Sequence, residues 1–337
     1  MKKRNLGKTG IQVSELILGG GYVGGLLLQS DKSDCQSTKE EAKLKAVQHA
    51  LDSGINMIDT APSYGNGESE RSVGKLLPQI APRPYLATKV QIHPSERKDL
   101  AGQVEKSIHD SLTRLETSSV DILQLHNPLK AVDDKRHLST KHLFGKSGII
   151  NALEKAKNEG ITKHIGMTAL GDTNSCILAL ETDAFETAQV YYNLLNPSAG
   201  TTIPKNWAQQ DFSEIINVCE KRGVGVMNIR VFAAGILAST ERTGREIPVT
   251  GMGEFNFAED ESRAAQIFKY LPDEGYTTAQ EALRFSLANR RISCVVLGLA
   301  NFDQLEEALA VNSKPPMPDS SLKLLNKLYE ENFSLDV

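Results

Sequence analysis

Short apolar runs alternate with amphipathic stretches from one end of the chain to the other. The runs ELIL (15–18), NMI (56–58), YLAT (85–88), VDILQL (120–125), KHIGM (163–167), AQVYY (188–192), VGVMNI (224–229) and CVVLG (294–298) have the length of strands. The segments between them carry helix signals. Ser37 with Glu40 reads as a capping box, followed by Leu44, Val47 and Leu51 on one face and Gly54 as a stop. Asp211, Glu214 and Gly223 repeat that design, and Thr278 with Glu281 and Asn301 with Gln304 are further box-like starts. Leu100, Val104, Ile108, Leu112 and Leu115 trace one apolar stripe along a long helix.

Eight strand–helix units fit both an open doubly wound sheet and a closed (β/α)8 TIM barrel. Because the units fill the chain without a break in composition, they favour closure into one barrel, a single domain over residues 1–337. The glycines of LILGGGYVGG, Gly20 and Gly21 among them, are not followed at once by a helix, which speaks against a dinucleotide-binding fingerprint of the doubly wound type. RNLGKTGIQVSEL places a glycine-containing turn between two extended pieces, a β-hairpin closing the barrel floor. Two long loops remain, 196–210 and roughly 238–260, with Trp207 and Phe255 as either pocket aromatics or surface packing.

Composition narrows the function. With 337 residues, 40% hydrophobic and 24% charged, the chain can bury a large core. A net charge of −4 from interspersed signs offers neither a basic stripe for nucleic acid nor a polybasic anchor for a membrane. The partner implied is a small molecule. The basic N-terminus is not followed by a long apolar run, so a cytoplasmic protein is expected. Cys35, Cys176, Cys219 and Cys294 lack the spacing of a metal site or a disulfide framework and read as reduced, mostly buried thiols.

The active site of such a barrel gathers at the C-terminal ends of its strands. Asp59 follows NMI, Tyr64 lies in the loop beyond, Lys89 ends YLAT and His126 ends VDILQL. Taken singly, each has a plain structural explanation: a turn cap, a packed phenol, a surface ion pair, a satisfied histidine. Jointly, ionisable groups at neighbouring strand ends are costly unless paired. These residue types suit proton transfer at a carbonyl or alcohol without a metal. A phenol has an ordinary pKa of about 10 that a neighbouring ammonium lowers, so Lys89 would tune Tyr64, Asp59 would orient Lys89, and His126 would hydrogen-bond the reacting oxygen.

That constellation, with MIDTAPSYGNGESERSVGKLL, VDILQLHNP, the opening LGKTGIQVSEL, and HIGMT, QVYYNLLN and VVLGLANFDQLEEAL, resembles the aldo-keto reductases, in particular the bacterial-type branch acting on aldoses and pyridoxal-like alcohols. The resemblance implies Tyr64 as general acid or base, Lys89 and Asp59 as its tuning pair, and His126 as carbonyl orienter. It implies a nicotinamide cofactor, NAD or NADP, contacted by Gly20, Gly21, Thr168, Gln189, Arg230, Phe232, Gly298, Asn301, Gln304 and Glu307. Asn301 and Gln304 read equally well as plain helix caps. Ala169 stands where the family usually has asparagine, and IRVFAAG (229–235) where many members read YSPLGRG. There Arg230 matches pyrophosphate or is solvated. Gly298-Leu299-Ala300-Asn301 carries no cation for a 2′-phosphate, which favours NAD. The expected activity is a sugar, polyol or related alcohol dehydrogenase. The alternatives are a broad NADPH-dependent aldehyde and ketone reductase and a non-catalytic nucleotide-sensing subunit.

Overall fold

The computed structural model describes residues 1–21, 26–27, 36–93, 98–239 and 257–333. Its strands are β1 (Lys3–Asn5), β2 (Gln12–Ser14), β3 (Leu16–Gly19), β4 (Met57–Asp59), β5 (Tyr85–Val90), β6 (Val120–Leu125), β7 (Leu129–Lys130), β8 (Leu138–Ser139), β9 (Thr162–Thr168), β10 (Thr187–Tyr191), β11 (Gly225–Ile229) and β12 (Ile292–Gly298). Strands β3–β6 and β9–β12 are the eight apolar runs, and they pair in parallel, each with the next and β12 back to β3, into a closed barrel. The helices are α1 (Gln36–Asp52), α2 (Glu68–Leu76), α3 (Leu100–Leu115), α4 (Ile149–Asn158), α5 (Thr173–Leu180), α6 (Ile215–Arg222), α7 (Phe257–Tyr270), α8 (Thr278–Ala288), α9 (Phe302–Leu309) and α10 (Asp319–Glu330). Among the described residues no helix is long and apolar enough to cross a membrane.

Helix starts are where local pattern and tertiary context part. Helix α3 covers the stripe as read, capped by Asp99, whose side chain accepts from the Gly102 amide. Helix α1 begins at Gln36, ahead of Ser37, so Ser37 is not its cap. At α6 the cap position is Glu214 in a left-handed conformation, its side chain making no capping bond. Asp211 instead accepts from the Ser213 amide in the preceding turn. At α8 the capping box is Thr277 with Gln280, one residue earlier than Thr278 with Glu281. Both pairs satisfy the local pattern, and other partners break the tie: Glu281 accepts from Arg284, one turn on in the same helix, at 2.9 Å, and Thr278 donates to the distant Ala238 carbonyl at 3.1 Å.

The two long loops also divide. Residues 196–210 form no regular element, and Trp207 packs its ring against Tyr329 and Phe333, which makes it a packing residue. The second loop ends sooner than read, because α7 starts at Phe257. Phe255 lies outside the described residues, as does Cys35, while Cys176, Cys219 and Cys294 are buried free thiols.

The N-terminal strands β1 and β2 pair antiparallel, and their hairpin closes the barrel floor. Leu6, Ile11 and Val13 pack on Ile17, Met57, Ala87, Ile122, Met227 and Cys294, the lowest inward-facing residues of β3, β4, β5, β6, β11 and β12. The hairpin is docked through Gly7 (φ +53°), where a Cβ would stand 2.2 Å from the Gly225 nitrogen, and through the Lys8 amide, which donates to the Gly223 carbonyl at 2.8 Å. Backbone thus meets backbone with no room for a side chain, in a conformation that only glycine adopts freely. Gly7→Ala should therefore lower unfolding stability by about 1–3 kcal/mol in urea titration, with the midpoint falling.

Candidate active site

Period-two alternation along each strand decides which residues enter the barrel. Ile17, Met57, Ala87, Ile122, Met227 and Cys294 form the floor layer. Two residues further along the same strands stand Gly19, Asp59, Lys89, Gln124, Ile229 and Val296, and beyond Gln124 comes His126. The register sets Gly298 beside Gly19, Gly19 beside Asp59, and Thr168 beside Gln189. The strand-end residues expected from sequence therefore share one mouth, directly above an apolar core.

Asp59 and Lys89 form an ion pair at 2.7 Å, with side-chain exposures of 2% and 0%. Such a pair persists only if its remaining donors and acceptors are met. Here they are. Lys89 also donates to the Thr60 carbonyl at 2.8 Å and turns its third side to Tyr64, 4.8 Å from the ring centre and within hydrogen-bonding reach of the phenol. The second oxygen of Asp59 accepts from the Gln189 amide at 2.8 Å. Burial works hardest against the ammonium, but the combined pull of Asp59 and Tyr64 outweighs it and holds Lys89 above the ordinary lysine value.

Tyr64 sits on the loop from β4 to α2, half-buried. Gly65, Asn66 and Gly67 all take positive φ, so the chain reverses at once after Tyr64 and enters α2 through Gly67. His126 meets the Tyr64 ring edge-on at 5.6 Å and 86°, with its Nδ1 3.4 Å from the Ser63 hydroxyl. Burial, reinforced by Lys89, lowers the His126 pKa to about 3, which keeps the imidazole neutral through the physiological range. Tyr64 departs from expectation. Lys89 does pull the phenol down, but burial is the larger effect and Asp59 adds to it, so the net displacement is upward from the ordinary value. A nearby ammonium was legible in the sequence; how dry the pocket is was not.

The residues implied for a cofactor fall into two groups. Thr168, Gln189, Gly20 and Arg230 lie at the mouth. The Thr168 hydroxyl is buried without a partner among the described residues, which suits a carboxamide, and Gln189, with one of its two N–H groups donated to Asp59, has no partner for its carbonyl oxygen there. Ala169 is buried and supplies no side-chain amide. At Gly20 a Cβ would stand 2.2 Å from Ser69 Oγ, so a side chain there would displace Ser69, whereas among the described residues nothing approaches a Cβ at Gly21 or Gly298. Arg230 follows β11 with φ +60°, its carbonyl accepting from the buried Asn193 amide at 2.8 Å. Its guanidinium has no carboxylate partner among the described residues. Burial depresses its pKa while Tyr191 and Tyr64 oppose that shift. Phe232 packs against the main core.

The second group surrounds the start of α9. Asn301 accepts from the Gln304 amide at 3.0 Å and Gln304 accepts from the Ala300 amide at 2.7 Å, so both side chains cap the helix. The Glu307 carbonyl accepts from Gln280, and the acidic residue in the first turn is Asp303. Sequence reasoning missed Ser63, Glu70 and the bond from Gln189 to Asp59; ESER (68–71) was a visible signal only for Glu70, as an acid at a helix start.

The chain is 29% identical to L-galactose dehydrogenase of Arabidopsis thaliana over 313 residues, covering 91% of this chain and 86% of that protein. It is 25% identical to pyridoxal 4-dehydrogenase of Microbacterium luteolum, over 91% of each. Among solved structures, the fold matches an aldo-keto reductase of Bacillus halodurans in its holo form, with a TM-score of 0.72 at 23% identity over 98% and 97% of the two chains. It also matches a glycerol dehydrogenase of Gluconobacter oxydans, with a TM-score of 0.71 at 20% identity over 99% and 97%. The model of the Aldo/keto reductase family matches residues 15–330, and with the closed barrel and the buried strand-end pair already described, the chain belongs to the aldo/keto reductase family of oxidoreductases.

Proposed function

We propose that the protein interconverts a carbonyl and an alcohol with a nicotinamide cofactor, Tyr64 exchanging the proton. The observation that carries this reading is the continuous chain from Gln189 through Asp59 and Lys89 to Tyr64, with neutral His126 against the phenol. When bound, the nicotinamide supplies or accepts the hydride at the carbonyl carbon. In reduction Tyr64 donates its phenolic proton to the carbonyl oxygen, and Lys89, held by Asp59, stabilises the phenolate that remains until solvent returns a proton. Neutral His126, accepting at Nδ1 from Ser63, keeps a proton on Nε2 and hydrogen-bonds the reacting oxygen, which fixes its position without competing as an acid. In oxidation the same groups run in reverse.

Thr168 and the carbonyl oxygen of Gln189 hold the carboxamide, and Gly20, Gly21 and Phe232 line the approach. Arg230, a half-buried cation without a carboxylate partner among the described residues, would take the pyrophosphate. Asn301, Gln304, Glu307 and Gly298 flank the adenosine end around α9. NAD is favoured over NADP because the tract 298–301 has no cation and Asp303 places a negative charge in the first turn of α9. The named relatives act on L-galactose, pyridoxal and glycerol, so a sugar, polyol or related primary or secondary alcohol is the substrate class.

Tyr64→Phe should reduce kcat by a factor of about 100 or more in assays of 4-nitrobenzaldehyde reduction and of alcohol oxidation followed at the nicotinamide absorbance, with cofactor affinity retained. Unchanged turnover would refute the assignment.

The upward displacement of the Tyr64 pKa fixes a sign. Reduction needs the protonated phenol, so its kcat should stay level through neutrality and decline only above pH ~10, while oxidation, which needs the phenolate, should climb over that range. A His126 pKa near 3 adds no inflection close to neutrality. A reduction profile that falls between about pH 6 and 8 would count against both statements.

For the cofactor, kcat/KM with NAD(H) should equal or exceed that with NADP(H), and Arg230→Met should weaken NADH binding about tenfold in fluorescence titration, the loss of one charge-assisted bond. A strong NADPH preference would overturn the first, and undiminished binding the second.

A further inference from the structure

Glu70 has no part in the reaction just described, yet it is completely buried, and a buried carboxylate persists only where it is fully partnered. One of its oxygens accepts from the Thr88 hydroxyl at 2.6 Å, and the other from Arg114 Nε at 2.7 Å. Arg114, on α3, is itself steadied by Ser111 at 3.1 Å, and its side chain lies against Gly67, where a Cβ would come within 2.6 Å of Cδ. The helix N-terminus makes a negative charge tolerable at this point, but it does not account for the bond to Thr88.

The position of Thr88 gives the arrangement its meaning. Thr88 and Lys89 are consecutive on β5, so alternation sends Lys89 into the barrel and Thr88 out toward α2 and α3. Glu70 follows Tyr64 by six residues, at the start of the helix that the Tyr64 loop enters. The residue before it, Ser69, accepts from Thr60 Oγ1 at 2.8 Å, and the Thr60 carbonyl accepts from Lys89. The loop bearing the phenol and the strand bearing the ammonium are thus joined on both sides of the barrel wall: inside through Lys89 and Thr60, outside through Thr88 and Glu70.

We propose that Glu70 is a positioning residue whose bridge between Thr88 and Arg114 sets the distance of the Tyr64 loop from Lys89. This rests on Tyr64 and Lys89 acting as the proton-transfer pair. A purely structural brace would alter stability alone; a positioning brace must also alter how Tyr64 ionises, because the ammonium acts on the phenol through that distance.

Thr88→Val removes one hydroxyl and leaves the Glu70–Arg114 pair intact, while Thr88→Ser restores the bond. In cofactor-free protein, the ionisation of Tyr64 is read from near-ultraviolet phenolate absorbance in an alkaline titration, by difference from the same variant carrying Tyr64→Phe. Thr88→Val should move that titration to higher pH and Thr88→Ser should return it. With 4-nitrobenzaldehyde and NADH or NADPH, kcat should fall about tenfold in Thr88→Val with the cofactor KM unchanged, the scale expected of a small misplacement. Glu70→Gln, measured the same way, should reproduce the displacement. An unmoved Tyr64 titration in folded Thr88→Val or Glu70→Gln overturns the proposal, whatever happens to the melting temperature. Absence of turnover in the unaltered protein would instead overturn the proposed function, while the titration still decides the role of Glu70.

Discussion

Lys89 and Asp59 meet at 2.7 Å where almost no solvent reaches them, and this pair constrains everything around it. Two charges taken out of water are stable together only while geometry and secondary partners hold, and removing either one leaves the other uncompensated, at about 3–5 kcal/mol. The barrel supplies those partners from the loop after β4 and from β10. Thr60 contributes a carbonyl, Gln189 an amide from the far side of the barrel, Tyr64 a phenol, and the closed sheet beneath keeps water from entering below. The pair is thus both a cost to the fold and the reason the mouth is rigid.

The same pair links the two ends of the proposed reaction. Gln189 joins Asp59 with its nitrogen and, in the proposed function, would meet the cofactor with its oxygen, while Lys89 joins Asp59 on one side and faces Tyr64 on the other. A change at the carboxamide end is one hydrogen bond from Asp59 and two from the ammonium that acts on the phenol. Behind the wall, Thr88 and Glu70 hold the backbone that carries this chain. Interior and exterior faces of β5 therefore serve one purpose through adjacent residues, which follows from the two-residue period of a strand.

Local pattern resolved some features and missed others for identifiable reasons. The eight runs became the eight barrel strands because burial on both faces of a parallel sheet demands continuous apolar character, which short windows detect. Capping failed where two overlapping motifs were equally good: Thr277 with Gln280 prevailed over Thr278 with Glu281 because Arg284 and the Ala238 carbonyl claimed the latter residues. Trp207 read as a pocket aromatic or as packing, and only the C-terminal segment bearing Tyr329 and Phe333, more than a hundred residues away, decided for packing. Nothing near Glu70 in sequence announces Thr88 or Arg114, which lie 18 and 44 residues further on.

By itself, the sequence determined the alternation of strands and helices and the identities of Asp59, Tyr64, Lys89 and His126 as residues ending or following strands, while it only favoured closure over an open sheet, since closure is the pairing of β12 with β3. The alternation and the identities follow from periodicity and residue type, which are local. Only the tertiary structure decided how dry the site is, and with it that burial holds the Tyr64 phenol above its ordinary value despite Lys89 and keeps His126 neutral. It alone also decided that Gln189 closes on Asp59 across the barrel. Desolvation and long-range pairing depend on what the rest of the chain packs around a residue, and that information is spread over the whole fold rather than written beside the residue it governs.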